Sequence, residues 1–166
     1  MNFHGKAHKF GSDINTDYII SGKYKFKTLD MKELATHVME DLDPDFYQKV
    51  SQGDFIVAGT NFGCGSSREQ APLAIKYASV SAVLAKSFAR IFYRNCINTG
   101  LPVVECDTDL IESGDQLEVD LAGGVINNVT RGVRIPIKPL PGVMIKILND
   151  GGLAPHFRKY GGFNLD

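Results

Sequence analysis

Two hydroxyls and a guanidinium stand next to one another in this sequence, at Ser66, Ser67 and Arg68. Arginine is the residue best shaped to hold a carboxylate, because its planar guanidinium donates two parallel hydrogen bonds to the two oxygens. The serine hydroxyls can donate or accept further hydrogen bonds. These residue types predict a binding site for a small anion, and a carboxylate fits it best.

The segments on either side place these residues on a strand-to-helix turn. Residues 54–59 form an apolar run that predicts a buried strand, and residues 69–78 have the pattern of a helix. Gly63 and Gly65 allow the backbone to bend sharply between the two. The start of the helix presents unpaired N–H groups and a positive dipole end to the turn, which favours a bound anion.

A second interpretation of the same residues is a helix cap. Ser66 and Glu69 have the spacing of a capping box, in which Ser66 only satisfies helix amides while Arg68 stays in solvent. That pair alone favours the cap. Two glycines, an asparagine, a cysteine and an arginine in one turn exceed what a cap requires, which favours a ligand site. No dinucleotide fingerprint, phosphate loop or nucleophile elbow is complete in this segment.

The rest of the chain predicts an α/β fold. Residues 1–10 predict an edge strand, and residues 80–105 continue the alternation of buried strands and a helix that is typical of a parallel βαβ core. Residues 117–137 read as short strands separated by glycines, which predicts antiparallel hairpins. A last helix is expected over residues 143–149, followed by a polar tail.

Length and composition predict one globular domain that covers residues 1–166. The chain has 166 residues, of which 43% are hydrophobic, and a formal charge of −1 without long runs of one sign. This balance gives no electrostatic reason to expect nucleic acid or an anionic membrane as a partner. Because residues 1–9 lack an apolar signal core and no run is long enough to span a bilayer, we expect a cytoplasmic protein.

The cysteines and histidines do not have the spacing of a metal site. Cys64, Cys96 and Cys106 are widely separated, and an odd count argues against a disulfide framework. We expect Cys96 and Cys106 to be buried, and Cys64 either to pack beneath the turn or to touch a ligand, with packing favoured. The four histidines are predicted to lie at the surface: His4, His8, His37 and His156.

A longer segment around the turn resembles a known family. Residues 59–72 are similar to the signature of the small, swivel-domain subunits of 3-isopropylmalate dehydratase and their relatives in the aconitase superfamily. Residues 13–20, 87–95 and 98–102 agree with the same family, so the resemblance spans nearly the whole chain. It implies a single β/β/α swivelling domain.

The resemblance also implies a function. The chain would be the small subunit of a hydro-lyase that acts on a hydroxy di- or tricarboxylic acid, with the conversion of 3-isopropylmalate to 2-isopropylmalate in leucine biosynthesis as the best match. The alternatives are the small subunits of homoaconitase and of 2,3-dimethylmalate dehydratase. A 4Fe-4S cluster would lie on a large partner subunit, with no metal or cofactor in this chain. The lone chain would be inactive and could form a homo-oligomer. A rival of another class is a stand-alone anion-binding regulatory module.

Roles for individual residues follow from the resemblance. Ser66 would be the catalytic base, with Arg68 and Ser67 binding the substrate. A serine can act as a base only as an alkoxide, so its pKa must be lowered by nearby amides or cations. Asp17 would reach the active site, although its position alone predicts an Asx turn or a cap.

One segment departs from the family. Lys25, Phe26 and Lys27 stand where isopropylmalate-type proteins usually carry Leu-Val-Tyr and homoaconitase types carry a shorter Leu-Arg. The resemblance implies that this segment is a loop that contacts the variable group of the substrate. Two ammonium groups favour a carboxylate over an isopropyl group. Strand-like alternation gives a second geometry, in which Phe26 lines an apolar pocket and both lysines reach solvent.

Overall fold

The computed structural model describes residues 1–25, 30–66 and 69–163. One mixed sheet of seven strands runs through the described chain in the order β4-β3-β2-β1-β5-β6-β7. Strands β1 to β4 are parallel to one another, whereas β5 to β7 are antiparallel. The strands are β1 Asn2–Lys9, β2 Phe55–Ala58, β3 Ala82–Ala85, β4 Val103–Glu105, β5 Gln116–Asp120, β6 Val125–Asn128 and β7 Val133–Pro136. This arrangement confirms the parallel core and the antiparallel hairpins.

Strand β1 lies in the middle of the sheet, so the prediction of an edge strand was wrong. It pairs in parallel with β2 on one side and antiparallel with β5 on the other. A polar residue of this strand has a buried partner, since His8 Nε2 lies 2.8 Å from the buried carboxylate of Asp54. A polar residue with a buried partner cannot be distinguished from a solvated one by its type alone.

Eight α-helices and one 3-10 helix connect the strands within the described ranges. The α-helices are α1 Thr16–Ile19, α2 Gly22–Lys25, α3 Met31–Ala35, α4 Phe46–Lys49, α5 Gln70–Tyr77, α6 Arg90–Thr99, α7 Gly142–Asn149 and α8 Leu153–Tyr160, and the 3-10 helix is Thr108–Leu110. Strands β2 and β3 are buried at every position. None of these helices is long and apolar enough to cross a membrane.

The segment after α7 is helix α8, where a polar tail was predicted. His156 is fully buried on α8, and its ring lies between two acceptors, Asp150 Oδ2 at 2.7 Å and the carbonyl oxygen of Phe163 at 2.6 Å. The surface assignment of His156 was therefore wrong. Through these two contacts, His156 attaches α8 to the end of α7 and to Phe163, which follows α8.

The segment before residue 26 is helical. Residues 22–25 form α2, so strand-like alternation does not extend back over them. Phe26 and Lys27 lie outside the described residues. Helix α3 ends at Ala35, and a series of turns follows it.

Candidate active site on the glycine turn

Three loops meet at the carboxyl ends of the parallel strands. The loop after β1 contacts the loop after β2, where Gly63 N–H donates to the Ile14 carbonyl at 2.8 Å. The loop after β3 is attached on the other side, because Phe62 N–H donates to the Ser87 carbonyl at 3.1 Å. This edge of an α/β sheet is where ligand sites usually lie.

The backbone of the turn requires glycine at two positions. Gly63 has φ +85°, and a Cβ added there would lie 2.1 Å from the ring of Phe92. Gly65 has φ +96°, and a Cβ there would lie 2.7 Å from Asn15 Oδ1. Both the left-handed conformation and the close neighbours exclude a side chain. The two glycines therefore let the loops pack directly against each other.

Ser66 lies at the exposed end of this turn, with a buried threonine beside it. The Thr16 hydroxyl donates to the Ser66 carbonyl oxygen at 3.0 Å, and Thr16 Oγ1 lies 3.2 Å from Ser66 Oγ. Thr16 is only 1% exposed, whereas Ser66 is exposed. Ser66 is thus an exposed residue whose hydroxyl contacts a buried one.

The capping-box interpretation of Ser66 is wrong. Helix α5 begins at Gln70, and its N-cap residue, Glu69, makes no side-chain capping bond to the described residues. The hydroxyl of Ser66 contacts Thr16 instead of the helix amides. Ser67 and Arg68, which lie between Ser66 and α5, are outside the described residues.

Asp17 follows Thr16 on the short helix α1 and is exposed. The cap of that helix is Asn15, whose Oδ1 accepts a hydrogen bond from Asp17 N–H at 2.8 Å, so the capping role expected for Asp17 belongs to Asn15. A cleft of about 420 Å³ adjoins this helix. Its lining residues are Asn15, Asp17, Tyr18, Ser21, Gly22 and Asp41.

The cleft connects two of the predicted site segments. It runs from Asn15 and Asp17, beside the Ser66 turn, to Gly22 at the start of α2. The main chain of Lys25 ends this helix. The structure thus brings Asp17 and the start of α2 to one cleft, and Ser66 contacts Thr16, the neighbour of Asp17 in the chain. Two larger cavities border α6 and share no lining residue with this cleft.

The three cysteines do not form a cluster-binding set. Cys96 is fully buried on α6, and burial raises the pKa of its thiol well above the ordinary value. Burial, together with the nearby charge of Asp107, raises the pKa of Cys106 to about 12. Within the described ranges, no group of three His, Cys, Asp or Glu residues could hold a metal ion. An iron–sulfur cluster is held by several cysteine thiolates gathered at one place, and residues 1–25, 30–66 and 69–163 contain no such group.

The cysteine burial expected from the sequence is partly confirmed. Cys96 is buried, and Cys106 is half-buried at the end of β4. Cys64 is half-buried on the turn, where its carbonyl accepts a hydrogen bond from Thr16 N–H at 2.8 Å.

Sequence reasoning missed Thr16 and Asn15. Asn15 carried a signal, because asparagine before a short apolar run is typical of an N-cap. Thr16 carried none, because its contact with Ser66 spans 50 positions of the chain.

Comparisons with known proteins identify the family of this chain. Residues 11–108 match the model of the Aconitase C-terminal domain family. The chain is 60% identical over 165 residues to 3-isopropylmalate dehydratase small subunit 2 of Archaeoglobus fulgidus, covering 99% of this chain and 100% of that relative. It is 52% identical over 155 residues to the methanogen homoaconitase small subunit of Methanothermobacter thermautotrophicus, covering 93% and 90%.

A solved structure is similar over nearly the whole chain. The crystal structure of 3-isopropylmalate dehydratase from Methanocaldococcus jannaschii superimposes with a TM-score of 0.93 at 50% identity. The match covers 97% of this chain and 96% of that one. The expected swivel-domain fold is thereby confirmed.

Proposed function

The chain belongs to the Aconitase C-terminal domain family, and on that premise we propose that it is the small subunit of a two-subunit hydro-lyase acting on a hydroxy di- or tricarboxylic acid. The observation that carries the proposal is the exposed Ser66 hydroxyl on a glycine turn in a chain 60% identical, end to end, to a 3-isopropylmalate dehydratase small subunit. We take 3-isopropylmalate as the substrate and leucine biosynthesis as the pathway. The same similarity favours an enzyme subunit over a stand-alone anion-binding module.

The reaction moves a hydroxyl between adjacent carbons and requires a proton to leave one carbon and return to the other. We assign the proton transfer to Ser66 Oγ, because this residue is exposed on the glycine turn and its hydroxyl contacts the buried Thr16. Arg68 and Ser67 follow it directly in sequence and are assigned to the substrate carboxylates. Asp17 is assigned to the same site because it lines the adjoining cleft.

The departing hydroxide requires a Lewis acid that this chain does not supply. We assign that role to a 4Fe-4S cluster on a large partner subunit, because the cysteines described above do not fit the cluster. The enzyme would act in the cytoplasm. Without its partner, the chain would be inactive and could form a homo-oligomer.

One relative keeps a second substrate class open. The methanogen homoaconitase small subunit is 52% identical, and Lys25 and Lys27 stand in the segment expected to face the variable part of the substrate. Cations there favour a third carboxylate. 2,3-Dimethylmalate is a further candidate, because its methyl groups are small and would remove less water from the lysines than an isopropyl group would.

Replacing the proposed base tests the assignment. In the enzyme assembled with its large subunit, Ser66→Ala should lower kcat by at least about 100-fold with little change in KM, because the hydroxyl acts in proton transfer. Ser113→Ala is the control, since the Ser113 hydroxyl is hydrogen-bonded to Lys9 N–H and not to a predicted site residue. Arg68→Lys should raise KM instead, because an ammonium cannot donate the bidentate pair. Full turnover by Ser66→Ala would contradict the proposed role.

A further inference from the structure

The hydroxyl of Thr16 is shared between two acceptors on one residue. Thr16 Oγ1 lies 3.0 Å from the Ser66 carbonyl oxygen and 3.2 Å from Ser66 Oγ. A threonine hydroxyl carries a single proton, so it can donate to only one of the two at a time. While Thr16 donates to the Ser66 carbonyl, the hydrogen bond between the two hydroxyls must be donated by Ser66. Thr16 can donate to Ser66 Oγ only after its own hydroxyl has rotated.

These contacts define two proton arrangements. In the first, Thr16 donates to the Ser66 carbonyl, and Ser66 Oγ–H donates to Thr16 Oγ1. In the second, the Thr16 hydroxyl has turned about its C–O bond and donates to Ser66 Oγ. Once Ser66 has lost its proton, it has none to donate, so only the second arrangement keeps the hydrogen bond between the two oxygens.

The frame around Thr16 holds its oxygen in place while the proton turns. Thr16 N–H donates to the Cys64 carbonyl at 2.8 Å, and the Thr16 carbonyl accepts from Ile20 N–H at 3.0 Å. The side chain is 1% exposed, so bulk water does not compete for the hydroxyl. Because the Thr16 oxygen already lies beside Ser66 Oγ, its hydroxyl has only to rotate about the C–O bond to stabilise negative charge there.

We propose that Thr16 is a positioning residue for Ser66, whose hydroxyl turns to donate a hydrogen bond to the Ser66 alkoxide when that residue acts as base. The inference rests on the proposed function of Ser66. Ser66 first loses its own proton to solvent at the exposed side of the turn. The substrate C–H bond then breaks, its proton forms a new O–H bond on the Ser66 alkoxide, and the electron pair stays with the substrate. Thr16 keeps its own proton throughout.

The test compares three threonine variants in the enzyme assembled with its large subunit. Thr16→Val keeps the shape of the side chain and removes the donor, whereas Thr16→Ser restores the donor. Thr108→Val is the matched control, because Thr108 is also 1% exposed and donates to a carbonyl, Ala58 O at 2.7 Å, without contacting Ser66. Thermal unfolding of each variant measures the structural cost separately.

Thr16→Val should lower kcat about 10- to 100-fold, with KM changed by less than about threefold, as expected for the loss of one donor to a developing oxyanion. The acidic limb of its pH–rate profile should move to higher pH, because the alkoxide has lost a stabilising hydrogen bond. Thr16→Ser should recover kcat to within about threefold of the wild type. Thr108→Val should lose thermal stability similarly but keep its kcat and pH profile.

A double variant separates the inference from the function on which it rests. In a Ser66→Ala chain, adding Thr16→Val should lower kcat no further, because the two residues act as one unit. If Ser66→Ala is inactive while Thr16→Val keeps full kcat and an unmoved pH profile, the role of Thr16 is overturned and that of Ser66 stands. If Ser66→Ala keeps full turnover, both are overturned.

Discussion

The phenol ring of Tyr24 stacks on the imidazole of His37, with the ring centroids 3.8 Å apart and the planes 7° from parallel. Glu40 joins the two rings from the side: its Oε2 lies 2.5 Å from His37 Nδ1, and its Oε1 accepts from the Tyr24 hydroxyl at 3.3 Å. Helix α2 is a single turn, too short to be stable alone. The stack therefore attaches α2 to the turn that follows α3.

This contact predicts how α2 responds when Tyr24 is changed. Tyr24→Ala should speed tryptic cleavage after Lys23 and Lys25 by about tenfold or more, because a helical turn without its tertiary contact opens freely. Tyr24→Phe keeps the stack and should change the rate little. Tyr47→Ala is the control, since Tyr47 is exposed on α4. Equal cleavage rates in Tyr24→Ala and the wild type would show that α2 is held by something else.

The lysines near α2 predict the substrate preference of the assembled enzyme. An ammonium facing an isopropyl group would lose solvation without a new hydrogen bond, a cost of about 1–3 kcal/mol. If Lys25 and Lys27 face the substrate, homoaconitate and dimethylmalate should be used at least as well as isopropylmalate, measured as kcat/KM. Replacing both lysines by alanine should then shift the preference toward isopropylmalate.

The second geometry predicts a different result from the same measurement. With Phe26 lining the pocket and both lysines in solvent, isopropylmalate should be the preferred substrate before and after the double replacement. A clear preference for isopropylmalate that remains after both lysines are replaced would exclude a role of Lys25 and Lys27 in substrate selection.

Much of the fold could be predicted because it depends on local patterns. Apolar runs located β2 and β3, and glycines between short strands located the antiparallel hairpins. The position of β1 at the centre of the sheet could not be predicted, because it depends on pairing with a strand more than a hundred residues away. That the domain covers all of residues 1–166 stays a prediction.

The candidate site divides in the same way. The glycine turn and Ser66 were recognisable from residue types and from the family resemblance, while the contact with Thr16 appears only once the loops after β1 and β2 meet. His156 shows most clearly that the type of a residue does not determine whether it is buried. Its buried partners, Asp150 and the Phe163 carbonyl, are set by how α8 packs and leave no pattern in the sequence.

Asp54 predicts how the stability of the chain depends on pH. Burial raises the pKa of this carboxyl, but hydrogen bonds from His8 and from the N–H groups of Ser51 and Lys6 outweigh burial and hold it below 3.8. A pKa lower in the folded than in the unfolded state stabilises the fold above about pH 4, and this contribution is lost as pH falls through the folded value.

Asp54→Asn should accordingly lower the free energy of unfolding at pH 7 by about 1–3 kcal/mol, the usual loss when buried donors lose a charged acceptor. The difference from the wild type should shrink as the pH falls below about 4, the ordinary carboxyl pKa, because the unfolded wild-type chain then binds a proton that the folded chain does not. Glu118→Gln, at an exposed position of β5, should leave the curve unchanged. Denaturant unfolding at several pH values measures both, and a constant difference down to pH 2 would contradict the assignment.

Reconstitution tests the proposal of a half-enzyme most directly. The purified chain alone, kept anaerobic, should bind no iron and convert no isopropylmalate, because its cysteines do not fit a cluster. Adding a large subunit from the same organism, with its 4Fe-4S cluster rebuilt, should give a stable complex that interconverts 3-isopropylmalate and 2-isopropylmalate, and a Ser66→Ala chain should form the same complex without turnover. Turnover by the lone chain, or failure of the loaded large subunit to bind it, would contradict the proposal.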